Sequence, residues 1–386
     1  MLFERTLRFE LPRNQSAFLW GPRKTGKSTW LRQRFPDSLV YDFLKTDLMV
    51  EASKDPSVVR EEIISEQERG RIKGPVVIDE VQKVPQVLDE VHWLIENRGI
   101  SFILCGSSAR ALKREKANML GGRAWRFQLH PLTRHEIPEF DLLRALNHGL
   151  IPSHYLSSSI RRTLRSYVND YLREEIREEG LVRNFRAFSR FTDVLGFNTG
   201  ELVNYNNIAR ETAVDAKTVK EYFQIVHDTM LGAYVEPYRG KGKRSALTAT
   251  PKFYLFDTGV ASYLSGRTVS VEEGPEFGRA LEHFIWMELC AYNSYSELDF
   301  PIRYWRTTKG HEVDFVLGNG DVAVEITSTK AITNKHTRGL RSFLEENKPG
   351  RAIIVNNAPR ACKSGVIEVL PWRQFLSQLW SGKLVS

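Results

Sequence analysis

The octapeptide Gly21-Pro22-Arg23-Lys24-Thr25-Gly26-Lys27-Ser28 limits what this chain can fold into more than any other feature. It satisfies G-x-x-x-x-G-K-[ST], a loop whose successive backbone N–H groups must converge on one anion. Gly21 and Gly26 let the backbone turn that tightly, and a helix starting near Gly26 adds its positive end to the same anion. Such a loop has to connect a strand to a helix. Ala17-Phe18-Leu19-Trp20 supplies an apolar strand before it, and the segment from Ser28 to Phe35 a helix after it. The expected cradle therefore comprises Gly21, Pro22, Arg23, Lys24, Thr25, Gly26, Lys27, Ser28 and Thr29, wrapped around the phosphates of ATP. Lys27 would reach the β- and γ-phosphates, and the Ser28 hydroxyl would ligate Mg²⁺.

Residues downstream fit the same chemistry. Pro75-Val76-Val77-Ile78 is an apolar strand ending in Asp79-Glu80, the form of a Walker B segment. Asp79 is expected to hold Mg²⁺ through water, and Glu80 to polarise the water that attacks the γ-phosphate. A protein that only bound nucleotide would not need the second acid. The run from Ile100 to Cys105 leads into Gly106-Ser107-Ser108, where Ser107 is placed to sense the γ-phosphate or attacking water. Arg123, after Gly121 and Gly122, is the candidate arginine for stabilising the transition state, a role that such residues play across subunits and that would require an oligomer. Short β-rich runs (SAFLW, LVYDF, PVVID, ISFILC) alternate with polar helical stretches over residues 1–135, which predicts an α/β fold with a mainly parallel sheet.

The blocks GPRKTGKS, VVIDEVQKVP, FILCGSSA and GGRAWRFQLHPLT resemble the prokaryotic AAA-type ATP-binding proteins that carry a C-terminal domain of unknown function. Glu80-Val81-Gln82 matches the Glu-apolar-Gln continuation of their Walker B strand. The resemblance continues through NYNNIARETAVDAKTVKEYF, PKFYLFDTGVASYL and YWRTTKGHEVDFVL, and so covers nearly the whole chain. It implies a P-loop ATPase core, a winged-helix segment and a C-terminal α/β domain like that of restriction endonucleases.

At 386 residues the chain has room for two or three domains. Texture divides it after residue 135 into a helical connecting segment (136–199), a winged-helix-like segment (200–267) and the nuclease-like end (268–386). Asp170/Arg173 and Glu179/Arg183 stand at helical spacing in the first. In the second, residues 208–223 read as helix, turn, helix, with Asp215 as N-cap and Val219, Tyr222 and Phe223 on one buried face. That leaves Lys217, Thr218 and Lys220 outward, where a recognition helix would meet DNA. Tyr238-Arg239-Gly240-Lys241-Gly242-Lys243-Arg244 reads as a basic wing tip, with Lys241, Lys243 and Arg244 as further candidates for phosphate contacts; the same composition also suits a solvated hairpin tip. A net charge of 55 − 47 = +8 suits a polyanion without selecting one.

In the third segment Val313–Leu317 and Val322–Thr327 form a hairpin about Asn319-Gly320. Paired positions then sum to 639, which sets Asp314 opposite Glu325. Two facing carboxylates repel unless a cation or a proton lies between them. With Glu282 on the preceding helix as a third acid, this is the arrangement of a metal-dependent nuclease of the PD-(D/E)xK type, the fold the resemblance implies. Thr327 stands where the catalytic lysine is expected, and Lys330 has the wrong strand parity. A retained fold with an altered centre follows, its carboxylates neutralised by Arg303, Arg306 or Lys309. His311 has no metal-ligand spacing.

Composition narrows the classes further. Apolar residues at 41% and charged residues at 26% exclude disorder. Cys105, Cys290 and Cys362 are too few and too scattered for a disulfide framework or zinc site, which predicts a cytoplasmic protein. No uncharged apolar run approaches the roughly 18 residues of a membrane span, and the charged N-terminus is not a secretory signal. The leading expectation is Mg²⁺-dependent ATP hydrolysis coupled to movement of the winged-helix and nuclease-like tail on DNA or a protein. The alternatives are an ATP-switched protein-binding module and a metal-dependent DNA nuclease.

Overall fold

The five residues of β1 (Ser16–Trp20) are all buried, as a strand covered on both faces requires. The computed structural model describes residues 3–12, 14–108, 110, 112, 120–172, 184–240 and 249–385. Around β1 stand β2 (Val40–Asp42), β3 (Val76–Asp79), β4 (Phe102–Gly106) and β5 (Ala124–Gln128), in the order β2-β3-β4-β1-β5 with every pairing parallel. Four of these are the strands expected from sequence. The fifth lies at the edge, where Trp125 and Arg126 are exposed and the apolar alternation that announces a strand is lost. Phe18, Trp20, Ile78, Phe102 and Leu104 pack with Val87, Val91 and Leu94 of the helix Val87–Arg98, each of them nearly or fully buried. Burial on this scale contributes roughly 1.5–3 kcal/mol per large side chain. Parallel pairing with Trp20 beside Gly106 brings the C-terminal ends of β1, β3 and β4 to one edge, where ligands bind in sheets of this kind.

The chain forms two units, Met1–Pro131 with Asp228–Leu231, and Leu132–His227 with Gly232–Ser386. The three segments read from texture after residue 135 thus belong mostly to one unit. Its sheet has eight strands: β6 (Gly232–Pro237), β7 (Lys252–Leu255), β8 (Ile302–Arg306), β9 (Glu312–Leu317), β10 (Val322–Ile326), β11 (Arg351–Asn356), β12 (Cys362–Ser364) and β13 (Ile367–Pro371), in the order β12-β13-β11-β10-β9-β8-β6-β7. The strands expected as an independent wing, β6 and β7, are antiparallel to each other, but β6 also pairs with β8 and so extends the C-terminal sheet. The β9/β10 register runs Leu317 to Val322, Val316 to Ala323 and Phe315 to Val324, all summing to 639 as the Asn-Gly turn required.

Two helices, Tyr205–Thr212 and Ala216–Asp228, flank a turn at Ala213, and Asp215 accepts from the N–H groups of Lys217 and Thr218, both at 2.9 Å. Val219, Tyr222 and Phe223 are buried, while Lys217 and Lys220 are exposed and Thr218 is half-buried. Lys241, Lys243 and Arg244 lie outside the described residues, as do Arg173, Glu179 and Arg183. No helix among the described residues is long and apolar enough to cross a membrane.

Candidate nucleotide site and a second charged cluster

The loop after β1 takes the shape its glycines permit. Gly21 has no room for a side chain, since a Cβ there would lie 2.4 Å from the Leu129 carbonyl oxygen. Gly26, with φ 98°, caps the helix Lys27–Arg34. Lys27 is buried, and its ammonium donates to the carbonyls of Gly21 at 2.7 Å and Pro22 at 3.1 Å. Thr25 closes the turn by donating its hydroxyl to Pro22 O at 2.8 Å. Pro22 is buried, Arg23, Ser28 and Thr29 are half-buried, and Lys24 is exposed.

The Walker B acids sit beside this loop. The Ser28 hydroxyl donates to Asp79 Oδ2 at 2.6 Å, so the two groups expected to serve Mg²⁺ are already together, as hard oxygen donors of the kind that ion takes. Asp79 Oδ1 accepts from the Glu80 N–H at 3.0 Å. Glu80 has left-handed backbone (φ 56°, ψ 43°), a conformation that costs a residue with a side chain about 1 kcal/mol or more and that collects at functional sites. Its carboxylate accepts from Gln82 Nε2, which also donates to Ser107 Oγ at 3.1 Å. Gln82 therefore joins Glu80 to Ser107, and both of these are buried. Gly106 makes space for it, because a Cβ there would lie 2.4 Å from Gln82 Oε1. Cys105 is buried next to these acids, and burial, followed by the charge of Asp79, pushes its thiol well up, so it stays protonated.

Arg123 stands elsewhere. Ser16 pairs with Ala124 while the P-loop follows Trp20, paired with Gln128, so Arg123 is at the opposite end of β1 from its own P-loop, about 13 Å along the strand. Its guanidinium pairs with the partly exposed Glu96.

Two contributors escaped the sequence reading. Arg5, 8% exposed, donates to Thr25 O at 2.6 Å, to His130 O at 2.6 Å and to Pro131 O at 3.4 Å, which pins the P-loop to the segment after β5. Nothing in its local sequence marks it. Gln82 had a signal in the Glu-apolar-Gln match, though not a role.

In the second unit Glu282, Asp314 and Glu325 gather as expected, but around a lysine from β7. Lys252 Nζ lies 2.7 Å from Glu312, 3.1 Å from Glu282 and 3.8 Å from Asp314. The Tyr254 hydroxyl donates to Glu282, and Asp314 Oδ2 accepts from the Ile326 N–H at 2.7 Å. The expected neutralisers divide differently: Arg306 pairs with Glu312 at 2.8 Å, Arg303 is half-buried on β8 between Glu236 and Val316 of the neighbouring strands, and Lys309 is exposed. Lys330 pairs with Glu273 at the surface. Burial lowers the affinity of Lys252 for its proton, but Glu282 and the other acids overturn this and raise its pKa well above the ordinary value. Burial, and then Glu282, raises Asp314; burial, and then Asp314, raises Glu325. Among the described residues no group of three or more His, Cys, Asp or Glu side chains is disposed to hold a metal ion.

Comparison with known proteins matches three stretches of the chain. Residues 13–138 match a family described as "AAA domain", residues 139–270 a "Domain of unknown function (DUF8612)", and residues 277–375 a "Domain of unknown function (DUF4143)". An uncharacterized protein of Haemophilus influenzae is 23% identical over 303 residues, 70% of this chain and 72% of its own. Uncharacterized protein MJ1544 of Methanocaldococcus jannaschii is 21% identical over 366 residues, 86% of this chain and 79% of its own. A Pyrococcus horikoshii signal transduction ATPase with numerous domains (STAND), PH0952, which has a tetratricopeptide repeat sensor, aligns with 74% of this chain at 12% identity and a TM-score of 0.21, and the chain spans about half of it (48%). The parallel five-stranded sheet, the P-loop between β1 and its helix, and the matched family identify the N-terminal unit as a P-loop core of the AAA type.

Proposed function

We propose that this protein hydrolyses ATP at the P-loop edge of the five-stranded sheet and uses the cycle to move its second unit against DNA or a protein. The observation that carries the reading is the Gln82 bridge between Glu80 and Ser107, the two side chains that we assign as base and γ-phosphate sensor. Backbone N–H groups from Gly21 to Ser28 would hold the β-phosphate, with Lys27 exchanging its carbonyl partners for phosphate oxygens. Ser28 and Asp79 would hold Mg²⁺, which supplies charge neutralisation at the phosphates when bound. Glu80 would take up the proton of the attacking water, and Gln82 would orient it.

Arg123 belongs to this proposal as a group offered to a neighbouring copy, since its position rules out its own P-loop. On the second unit, Lys217 and Lys220 near the start of the helix Ala216–Asp228 offer two positive charges to a phosphate backbone. Turnover of ATP with Mg²⁺ by the full chain, compared with Lys27→Ala, tests the core of the reading. Loss of both binding and turnover in the variant is expected. Normal turnover by Lys27→Ala, or no nucleotide binding by the wild type, defeats it.

A further inference from the structure

We infer that the acidic centre of the second unit is organised around an internal cation, the Lys252 ammonium, and has no place for a divalent metal. A nuclease-like fold with facing carboxylates at Asp314 and Glu325 and a helical acid at Glu282 leads one to expect Mg²⁺ or Mn²⁺ between them. Such an ion needs several oxygen lone pairs converging within coordination distance. Here those of Glu282, Glu312 and Asp314 are spoken for, and the buried oxygen that has no hydrogen-bond partner, Glu325 Oε2, is a single donor where several must converge. Glu282 accepts from Lys252 and Tyr254, Glu312 takes Lys252 and Arg306, and Asp314 faces Lys252 and accepts from the Ile326 N–H. The ammonium lies within 4 Å of three of the acids, with its side chain 5% exposed, so a divalent cation would enter against a fixed like charge.

Where the lysine comes from explains why it stays. Lys252 is the first residue of β7, paired to Val235 of β6, and its strand neighbour on the same face, Tyr254, bonds to the same glutamate. Neither strand belongs to the hairpin that carries Asp314 and Glu325. The acids therefore act as the socket that fastens β7 to the rest of the sheet, and Thr327 in place of a catalytic lysine has no reaction to impair. Its N–H is engaged in the sheet, donating to Val355 O at 3.0 Å. The second unit, on this inference, binds or positions and does not cleave.

The test is Mn²⁺ titration by calorimetry of the full chain carrying Asp79→Asn, which removes the carboxylate proposed to hold a cation at the nucleotide site. No saturable Mn²⁺ binding is expected. Adding Lys252→Met should create one binding site, and further adding Asp314→Asn should remove it. Saturable binding in the protein that retains Lys252, lost on Asp314→Asn, overturns the inference, as does a folded Lys252→Met protein that gains no binding. Should Lys252→Met not fold, the comparison with and without Asp314→Asn in the presence of Lys252 decides alone.

Discussion

Two lysines, one in each unit, show how the same side chain can serve a ligand or an architecture. Lys27 is buried at the head of a helix, and its ammonium bonds to the neutral carbonyls of Gly21 and Pro22. Lys252 is as deeply buried, and its ammonium is surrounded by Glu312, Glu282 and Asp314. Carbonyl partners leave the positive charge available to an anion, whereas carboxylates cancel it. An ammonium of the first kind can trade its bonds for phosphate oxygens at little cost. One of the second kind could do so only by leaving buried acids unpaired, which is among the most expensive changes a protein can undergo. Partner chemistry, more than burial, separates the site from the scaffold.

The largest expected effect separates the two regions by function. Glu80→Gln should lower ATP turnover by about 10²–10⁴-fold, the usual range for removal of a positioned base, while nucleotide binding survives. Lys252→Met should leave turnover unchanged. Steady-state hydrolysis by the two folded variants reads this directly, and equal losses would break the contrast.

The next separates them by stability. Lys252→Met strands three acids around an apolar side chain and should cost about 3–5 kcal/mol in chemical denaturation of the second unit. Lys27→Met removes only bonds to carbonyls in the first unit and should cost far less. Glu282→Gln together with Asp314→Asn should recover part of the Lys252→Met loss. If it does not, the acids are not what holds the lysine.

A third follows from carboxylates buried without a full countercharge. Glu288 lies in the helix Gly274–Tyr295, accepts from the Arg134 N–H at 2.6 Å and Trp380 Nε1 at 2.7 Å, and is pushed by burial from 4.5 up to about 7. Its folded pKa exceeds its unfolded one, so the folded state binds the extra proton between those values. Stability from this group is therefore full below pH 4.5 and is lost as pH rises towards 7, by about 3 kcal/mol in all. Denaturation of the full chain at pH 5 and pH 8 should show the second unit weakening, with a smaller slope in Glu288→Gln. A slope unchanged by the substitution would locate the titration elsewhere.

The sequence announced the first unit more completely than the second, for a physical reason. A P-loop confines its chemistry to eight consecutive residues, and parallel strands buried on both faces read as uninterrupted apolar runs, so Lys27, Ser28, Asp79, Glu80 and Ser107 could be named before their neighbours were known. The edge strand β5 escaped because Trp125 and Arg126 face outward. In the second unit the Asn319-Gly320 turn fixed the β9/β10 register, since a two-residue period admits one pairing only. Lys252 was invisible because the acids that hold it lie 30 to 62 positions away in the chain. The strands taken for a wing misled for the same reason. A hairpin looks alike whether it stands free or is pairing with β8, some 65 residues further on.

The smallest predicted effect concerns Arg5, a third buried cation, which has the Lys27 type of partner and yet no exchange to perform. Its guanidinium spans Thr25 O and the carbonyls of His130 and Pro131, two loops at once, and a planar fork can hold both where a single ammonium cannot. Arg5→Ala should cost about 1.5 kcal/mol in the first unit, the usual loss for a charged hydrogen bond. Because the bond it loses ends on the P-loop, the variant should also raise KM for ATP more than it lowers kcat. Arg5→Lys should restore part of the stability and less of the KM, since it can satisfy one loop and not both. Full rescue of KM by lysine would mean that charge near the phosphates is all that Arg5 provides. Intact KM with lowered stability would place it with Lys252 among the scaffold cations and would show that carbonyl partners alone do not mark a ligand-facing charge.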